Sequence, residues 1–302
     1  MSLLNYTAGT PGRVFALLRL VRQLGSEASV SRELATAWMA DAEIRTRESA
    51  NKGRPKEGMD HTCTFACETG LLEGPVEGPW RTSTDWVDID QMADAVHERL
   101  AHLTDDDDNS IVLGAYAVLL MYGDLEGHFG WGIRVQKQVA NELNDRLVAL
   151  KNVKKGDVIS DEKFRTWEGW IAAMGLLRPE ANLLPFAPYP LPRMRREIGV
   201  LCRLHGPNSK MPAREFWEEL TDRMPYMDNG RLWNSIRSKL GASLGISPFV
   251  STLSYPSSIC MHQLAEENVI KLELVPDAQL GLRLKGPDRV ISRITLCSSQ
   301  EN

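Results

Sequence analysis

Arg231, Asn234, Arg237 and Lys239 follow one another along a short stretch that also carries Leu232, Trp233, Ile236 and Leu240. Helical spacing sorts them into a polar sector, which Ser235 shares, and an apolar stripe. Arginine and asparagine are side chains that reach base edges, and arginine and lysine are those that meet phosphates. Arg193, Arg195 and Arg196 lead the first helix of the same part of the chain, Met194–Leu204, Lys210 follows it, and Arg283 and Lys285 stand on the outward side of a late strand. A second basic group, Arg45, Arg47, Lys52, Arg54 and Lys56 against the single acid Glu48, lies in an early loop. All of these are candidate DNA contacts, and their chemistry is electrostatic recognition. The competing reading is a salt-bridged surface facing Glu215, Glu218, Glu219 and Asp222.

Bond-making chemistry finds less support. His61, Cys63 and Cys67 form a metal-like cluster, but structural zinc wants four ligands, so core packing is the expectation and no metal or cofactor is assigned. There is no Gly-x-Ser-x-Gly elbow and no Gly-x4-Gly-Lys-Ser/Thr loop. Glu266, Glu267, Glu273 and Asp277 could be tried as a nuclease centre, yet Glu273 falls on the polar side of a strand and Asp277 in a turn. No catalytic residue is assigned, and the chain is expected not to be an enzyme. Trp167, Trp170, Trp217 and Trp233 sit at helical spacing among Leu and Ile, which favours packing over base stacking.

Charge is uneven along the chain. Across 302 residues the net is −5, but residues 60–108 carry 13 acidic and 2 basic side chains, whereas residues 190–240 carry 10 basic and 6 acidic ones. A DNA surface should therefore lie in the last third or on the early loop, and the acidic stretch should face proteins. The five cysteines are scattered, no signal peptide is evident, and no apolar run reaches ~18 residues, so a cytoplasmic protein with free thiols and no membrane contact is expected.

The elements that must position these groups are mostly helical. Helices are expected from Thr10-Pro11-Gly12 to Leu24, around Leu34–Trp38, from an Asp60 cap through Cys67, over Trp86–Leu103, Ile111–Tyr122, Val135–Leu150, Ser160–Met174, Met194–Leu204, after Pro212, over Gly230–Leu240 and over Ser257–Glu267. Glu43–Met59 reads as a long loop and Asp105–Asp108 as a solvated linker. Ile270–Val275 alternates at period two, turns at Pro276–Gln279 and returns through Leu280, Leu282 and Leu284 as a hairpin. Leu183–Phe186 is expected as a returning strand, followed by a stiff connector with prolines at 185, 188, 190 and 192.

One signature recurs three times: a helix runs into a residue that tolerates left-handed backbone, then into a short apolar strand. The stops are Gly70, Gly175 and Asn268, 105 and 93 residues apart. A recognition helix leaving through such a stop into a β-hairpin is the second half of a winged helix-turn-helix. The expected fold is thus mainly α with small β-hairpins, in three tandem winged-helix units over residues 1–88, 89–190 and 191–302.

With those junctions in view, the chain resembles the tandem winged-helix accessory proteins of bacterial phage-defence and DNA-modification clusters, of the DpdG type. The residues carrying the resemblance are Thr10–Arg22, the Phe164-x2-Trp167-x6-Met174-Gly175-Leu176 helix with its Pro185–Pro192 exit, and the Leu264–Leu284 hairpin. The resemblance implies a non-enzymatic DNA-recognition or adaptor subunit, working beside other protein subunits. The acidic stretch departs from a DNA-facing first wing. A free-standing winged-helix transcription regulator and a pure protein-interaction scaffold are the alternatives; the absence of a heptad dimerisation helix weighs mildly against the first.

Overall fold

The computed structural model describes residues 3–24, 29–44, 55–82, 84–104, 107–125, 136–151, 159–177, 188–244, 252–274, 281–285 and 289–297. Among them are eleven α-helices and one small antiparallel sheet: α1 (Pro11–Leu24), α2 (Arg32–Ile44), α3 (Pro55–Glu68), α4 (Ile89–Ala101), α5 (Ile111–Leu125), α6 (Gln136–Lys151), α7 (Asp161–Ala173), α8 (Leu191–His205), β1 (Lys210–Pro212), α9 (Ala213–Arg223), α10 (Arg231–Leu244), α11 (Tyr255–Glu266), β2 (Ile270–Leu274), β3 (Leu282–Leu284) and β4 (Arg289–Leu296). The chain divides into two compact units. One comprises Met1–Leu103, Asp107–Val112 and Ile159–Met174, and the other Thr104–Asp106, Leu113–Val158 and Gly175–Asn302.

In the first unit α1 buries Val14, Leu17, Leu18 and Val21, the stripe its spacing predicts. The helix α7 contributes Phe164, Trp167, Trp170 and Ile171, and its C-cap Met174, all buried. Burying an indole leaves its N–H in need of an acceptor. Trp167 Nε1 donates to Val112 O at 2.9 Å, and Trp170 Nε1 to Gly9 O at 2.7 Å. The ring of Trp170 stacks on Phe65 with centroids 4.5 Å apart.

Several local expectations change here. Asp60 does not cap the third helix: Pro55, whose fixed φ suits a first turn, opens α3 earlier, and Asp60 instead pairs with Arg32. The Glu43–Met59 loop is correspondingly shorter, with residues 45–54 outside the described set. Trp38 is 57% exposed, so of the residues marking α2 only Ala35 is fully interior. The acidic helix starts later than expected, at Ile89, because Asp88 caps it by accepting from Gln91 N at 2.7 Å. Asp107, at the end of the acidic run, accepts from Asn109 N at 2.7 Å and opens a 3-10 turn.

In the second unit every residue of α5 from Leu113 to Tyr122 except Gly114 is counted among the buried apolar core, as its continuous apolar run requires. The sheet has strand order β1-β4-β2, with β3 also on β4. The expected hairpin is corrected at this point. Ile270–Leu274 is a strand, but its partner is Arg289–Leu296; Leu282–Leu284 pairs with β4 rather than returning along β2. The longer β4, rich in β-branched residues, offers pairing along both edges, which a three-residue strand cannot match. Residues 275–280 and 183–186, where the turn and the other returning strand were expected, lie outside the described residues.

All three expected helix stops lie in the left-handed region: Gly70 at φ 67°, Gly175 at φ 78° and Asn268 at φ 59°. Two of them close with the same bonds, Leu71 N to Ala66 O at 2.9 Å and Val269 N to Leu264 O at 2.9 Å, which satisfy carbonyls orphaned at the helix end. After Gly70, Glu73 bridges Arg81 and Trp80 bridges Val30; after Gly175, Leu177 bridges Pro188. A Cβ at Gly175 would stand 3.2 Å from Arg193 N and 3.3 Å from Pro192 Cβ. Gly175→Ala is therefore expected to lower stability by about 1–2 kcal/mol, from left-handed backbone with a side chain, as measured by urea unfolding.

Candidate nucleic-acid interface

The helix α10 begins after a tight turn through Pro225–Gly230, in which Asn229 has φ 66°. Its apolar side carries Leu232, Trp233, Ile236 and Leu240 into the interior. The other side presents Arg231, Asn234 and Lys239 to solvent, with Ser235 partly exposed. Asn234 Nδ2 donates to Asn229 O at 2.7 Å, which ties one polar group back to the turn.

Two of the expected contacts are not on the surface. Arg237 is 6% exposed, because it follows Trp233 by one helical turn and so lies on the edge of the buried stripe. Its Nε and Nη2 find no hydrogen-bond partner, and burial lowers its pKa while Asp228 nearby opposes that shift. Arg193 is 5% exposed and sits four residues before Glu197, itself 2% exposed. Its Nε donates to Glu197 Oε1 at 2.9 Å, and Arg223 Nε donates to the other carboxylate oxygen. Arg193 is thus held by its carboxylate and Arg237 is enclosed by packing, so neither stands on the surface where a phosphate would be met.

The remaining basic residues are distributed over this same unit. Arg195 pairs with Glu267 at the surface and Arg196 is half-buried. Lys210 Nζ donates to Glu273 Oε1 at 2.7 Å. Arg283 is exposed, while the ammonium of half-buried Lys285 lies 5.1 Å from the centre of the Tyr255 ring. In the first unit Lys56 falls in the first turn of α3; Arg45, Arg47, Lys52 and Arg54 lie outside the described residues. The salt-bridged alternative holds in part: His205 Nε2 meets one of the expected acids, Glu219, at 2.6 Å, while Arg195 and Lys210 use others, Glu267 and Glu273.

Sequence reasoning passed over Lys271 and Arg293. The register places Lys271 and Lys210 on either side of Thr295, and Arg293 between Pro212 and Glu273. The available signal was the run Val290–Leu296, whose Ile291, Ile294 and Leu296 are fully buried while Arg293 is exposed. Glu273 has its pKa lowered, first by the hydrogen bond from Lys210 and further by the charges of Lys210 and Arg293.

The metal-like cluster resolves into packing neighbours. Cys63 is buried and its thiol is pushed up to about 12; half-buried Cys67 rises to about 11, in both cases chiefly through burial. The His61 ring stands edge-on to Tyr6 at 5.9 Å, and Tyr6 Oη donates to Glu68 at 2.7 Å. Among the described residues no group of three or more His, Cys, Asp and Glu side chains is placed to hold a metal ion. Of the acids considered for hydrolysis, Glu267 pairs with Arg195 and Glu273 with Lys210, and Asp277 lies outside the described residues. Among those residues no helix is long and apolar enough to cross a membrane.

A family model described as DpdG-like matches residues 1–278, most of the chain. The chain belongs to the DpdG-like family. Proteins of this type are associated with defence and DNA-modification gene clusters. The matched span covers the basic set as far as Lys239 and ends before Arg283 and Lys285, in the segment between β2 and β3. No curated protein and no solved structure gives a significant match.

Proposed function

We propose that this DpdG-like chain is a non-enzymatic DNA-recognition or adaptor subunit of a multi-component bacterial anti-phage system, built from tandem winged-helix units. The observation that carries the reading is an order of elements met twice. In the second unit α8, β1, α9 and α10 precede α11, the left-handed stop at Asn268 and the β2–β4 pair, with β4 lying between β1 and β2. In the first unit α1, Val30, α2, α3 and Gly70 precede the Glu73–Arg81 bridge, with Trp80 pairing back to Val30. A last strand inserted between the first two is the arrangement in which a wing flanks a helix, and helix-turn-helix domains use such a helix on DNA.

The charge distribution assigns the DNA role to the last third, where 10 basic side chains stand against 6 acidic over residues 190–240. The acidic stretch 60–108 and the exposed Trp38 and Leu34 suit contacts with other proteins of the system.

The test is binding of the purified chain to a labelled random duplex, titrated from low to physiological salt with and without Mg²⁺. Intact DNA and a linear fall of log affinity with log salt support recognition; Mg²⁺-dependent cleavage or no affinity at low salt sinks it. Arg231→Ala with Lys239→Ala is expected to flatten the salt slope by about two while unfolding free energy changes by less than about 0.5 kcal/mol.

A further inference from the structure

The sheet of the second unit has two unlike faces. Met211, Ile294, Ile270, Ile291 and Leu296 are buried against the helical side. The alternate residues form two rows on the other face, Lys210–Thr295–Lys271 and Pro212–Arg293–Glu273. Lys210, Lys271 and Arg293 are exposed, and Glu273 is the sole acid of these six positions. Strand spacing sets the two lysines about 10 Å apart across the sheet, with Arg293 one row further along. Thr295, between the lysines, is 7% exposed although it belongs to this face, as long side-chain stems on both sides cover it.

A face of this kind asks what balances its charge. Glu273 balances part of it, accepting from Lys210 and standing directly across from Arg293. The net on the face is still two positive charges, and no aromatic ring lies in either row for bases to stack on. Cations without stacking platforms match a phosphate backbone better than unpaired bases. We propose that this outward sheet face, through Lys210, Lys271 and Arg293, binds the phosphate backbone of duplex DNA, with the Glu273 carboxylate holding the place a phosphate takes on binding. The inference rests on the DNA reading of the chain and adds a surface apart from the polar side of α10.

Glu273 makes the proposal testable in opposite directions. Glu273→Gln removes the competing charge and is expected to tighten binding to a labelled duplex at fixed salt by about threefold. Lys271→Ala with Arg293→Ala is expected to weaken binding and flatten the log–log salt slope by about two. Circular dichroism melting of each variant, expected to match the parent, separates lost contacts from lost fold. Salt-dependent binding by the parent that neither variant alters overturns the sheet site and leaves the DNA reading standing. Absence of binding by the parent at low salt overturns both, and points to a protein partner for this face. Weaker binding in Glu273→Gln also overturns the proposal, since it would make the carboxylate a support rather than a competitor.

Discussion

Glu197→Ala is expected to cost about 3–5 kcal/mol of unfolding free energy, a large share of the ~5–15 kcal/mol that holds an ordinary domain. The carboxylate is 2% exposed and accepts from Arg193 on its own helix and from Arg223 on the next. Arg193 is 5% exposed, so removing Glu197 takes the opposite charge from a guanidinium that water reaches poorly. The partly exposed Arg223 can turn to solvent and adds little. Paired replacement, Arg193→Met with Glu197→Leu, is expected to recover most of the loss, because it removes the buried charges together. Equilibrium unfolding in urea reads both variants; a cost below about 1 kcal/mol for Glu197→Ala would mean that the Arg193–Glu197 pair behaves as a solvated one.

Trp80→Ala is the second large effect, expected at about 3–5 kcal/mol in the first unit. Its indole is 0% exposed, and Nε1 donates to Pro75 O at 2.8 Å. Its backbone exchanges two bonds with Val30, each 2.9 Å. Truncation leaves a cavity and removes the indole bond to Pro75 O, which keeps its 2.8 Å bond from Gly78 N, so the cavity carries the cost. Trp38→Ala is the control: Trp38 is 57% exposed, and its loss is expected to change stability by less than about 0.5 kcal/mol. If the two variants unfold alike, Trp80 is not the residue that seats the Glu73–Arg81 bridge.

The contrast between these two tryptophans shows where sequence reading loses its hold. Trp38 stands at helical spacing with Leu34 and Ala35 yet is exposed, whereas Trp80, which follows Gly78-Pro79 in a short segment without such spacing, is fully buried. Periodicity succeeded on α1 and α7, where several apolar positions vote together for one buried side, and α5 was legible from its continuous apolar run. It failed for Arg193 and Arg237, each at the edge of a stripe. A long charged side chain there can reach solvent or fold inward, and the choice depends on whether an acid such as Glu197 or Asp228 waits inside.

The α+β character, the helices and their three left-handed stops were determined by the sequence alone, because capping and periodicity are local: Gly70, Gly175 and Asn268 are where a helix can turn out of itself at least cost. Strand partnership was not. Leu282–Leu284 and Arg289–Leu296 are both alternating segments able to follow β2, and only the assembled unit selects β4, by giving it two edges to pair and an apolar side to bury. That selection also gathers Lys210, Lys271, Arg293 and Glu273 onto one face from positions up to 83 residues apart. Charge on a surface is set by which strands lie side by side, and that is a property of the tertiary structure.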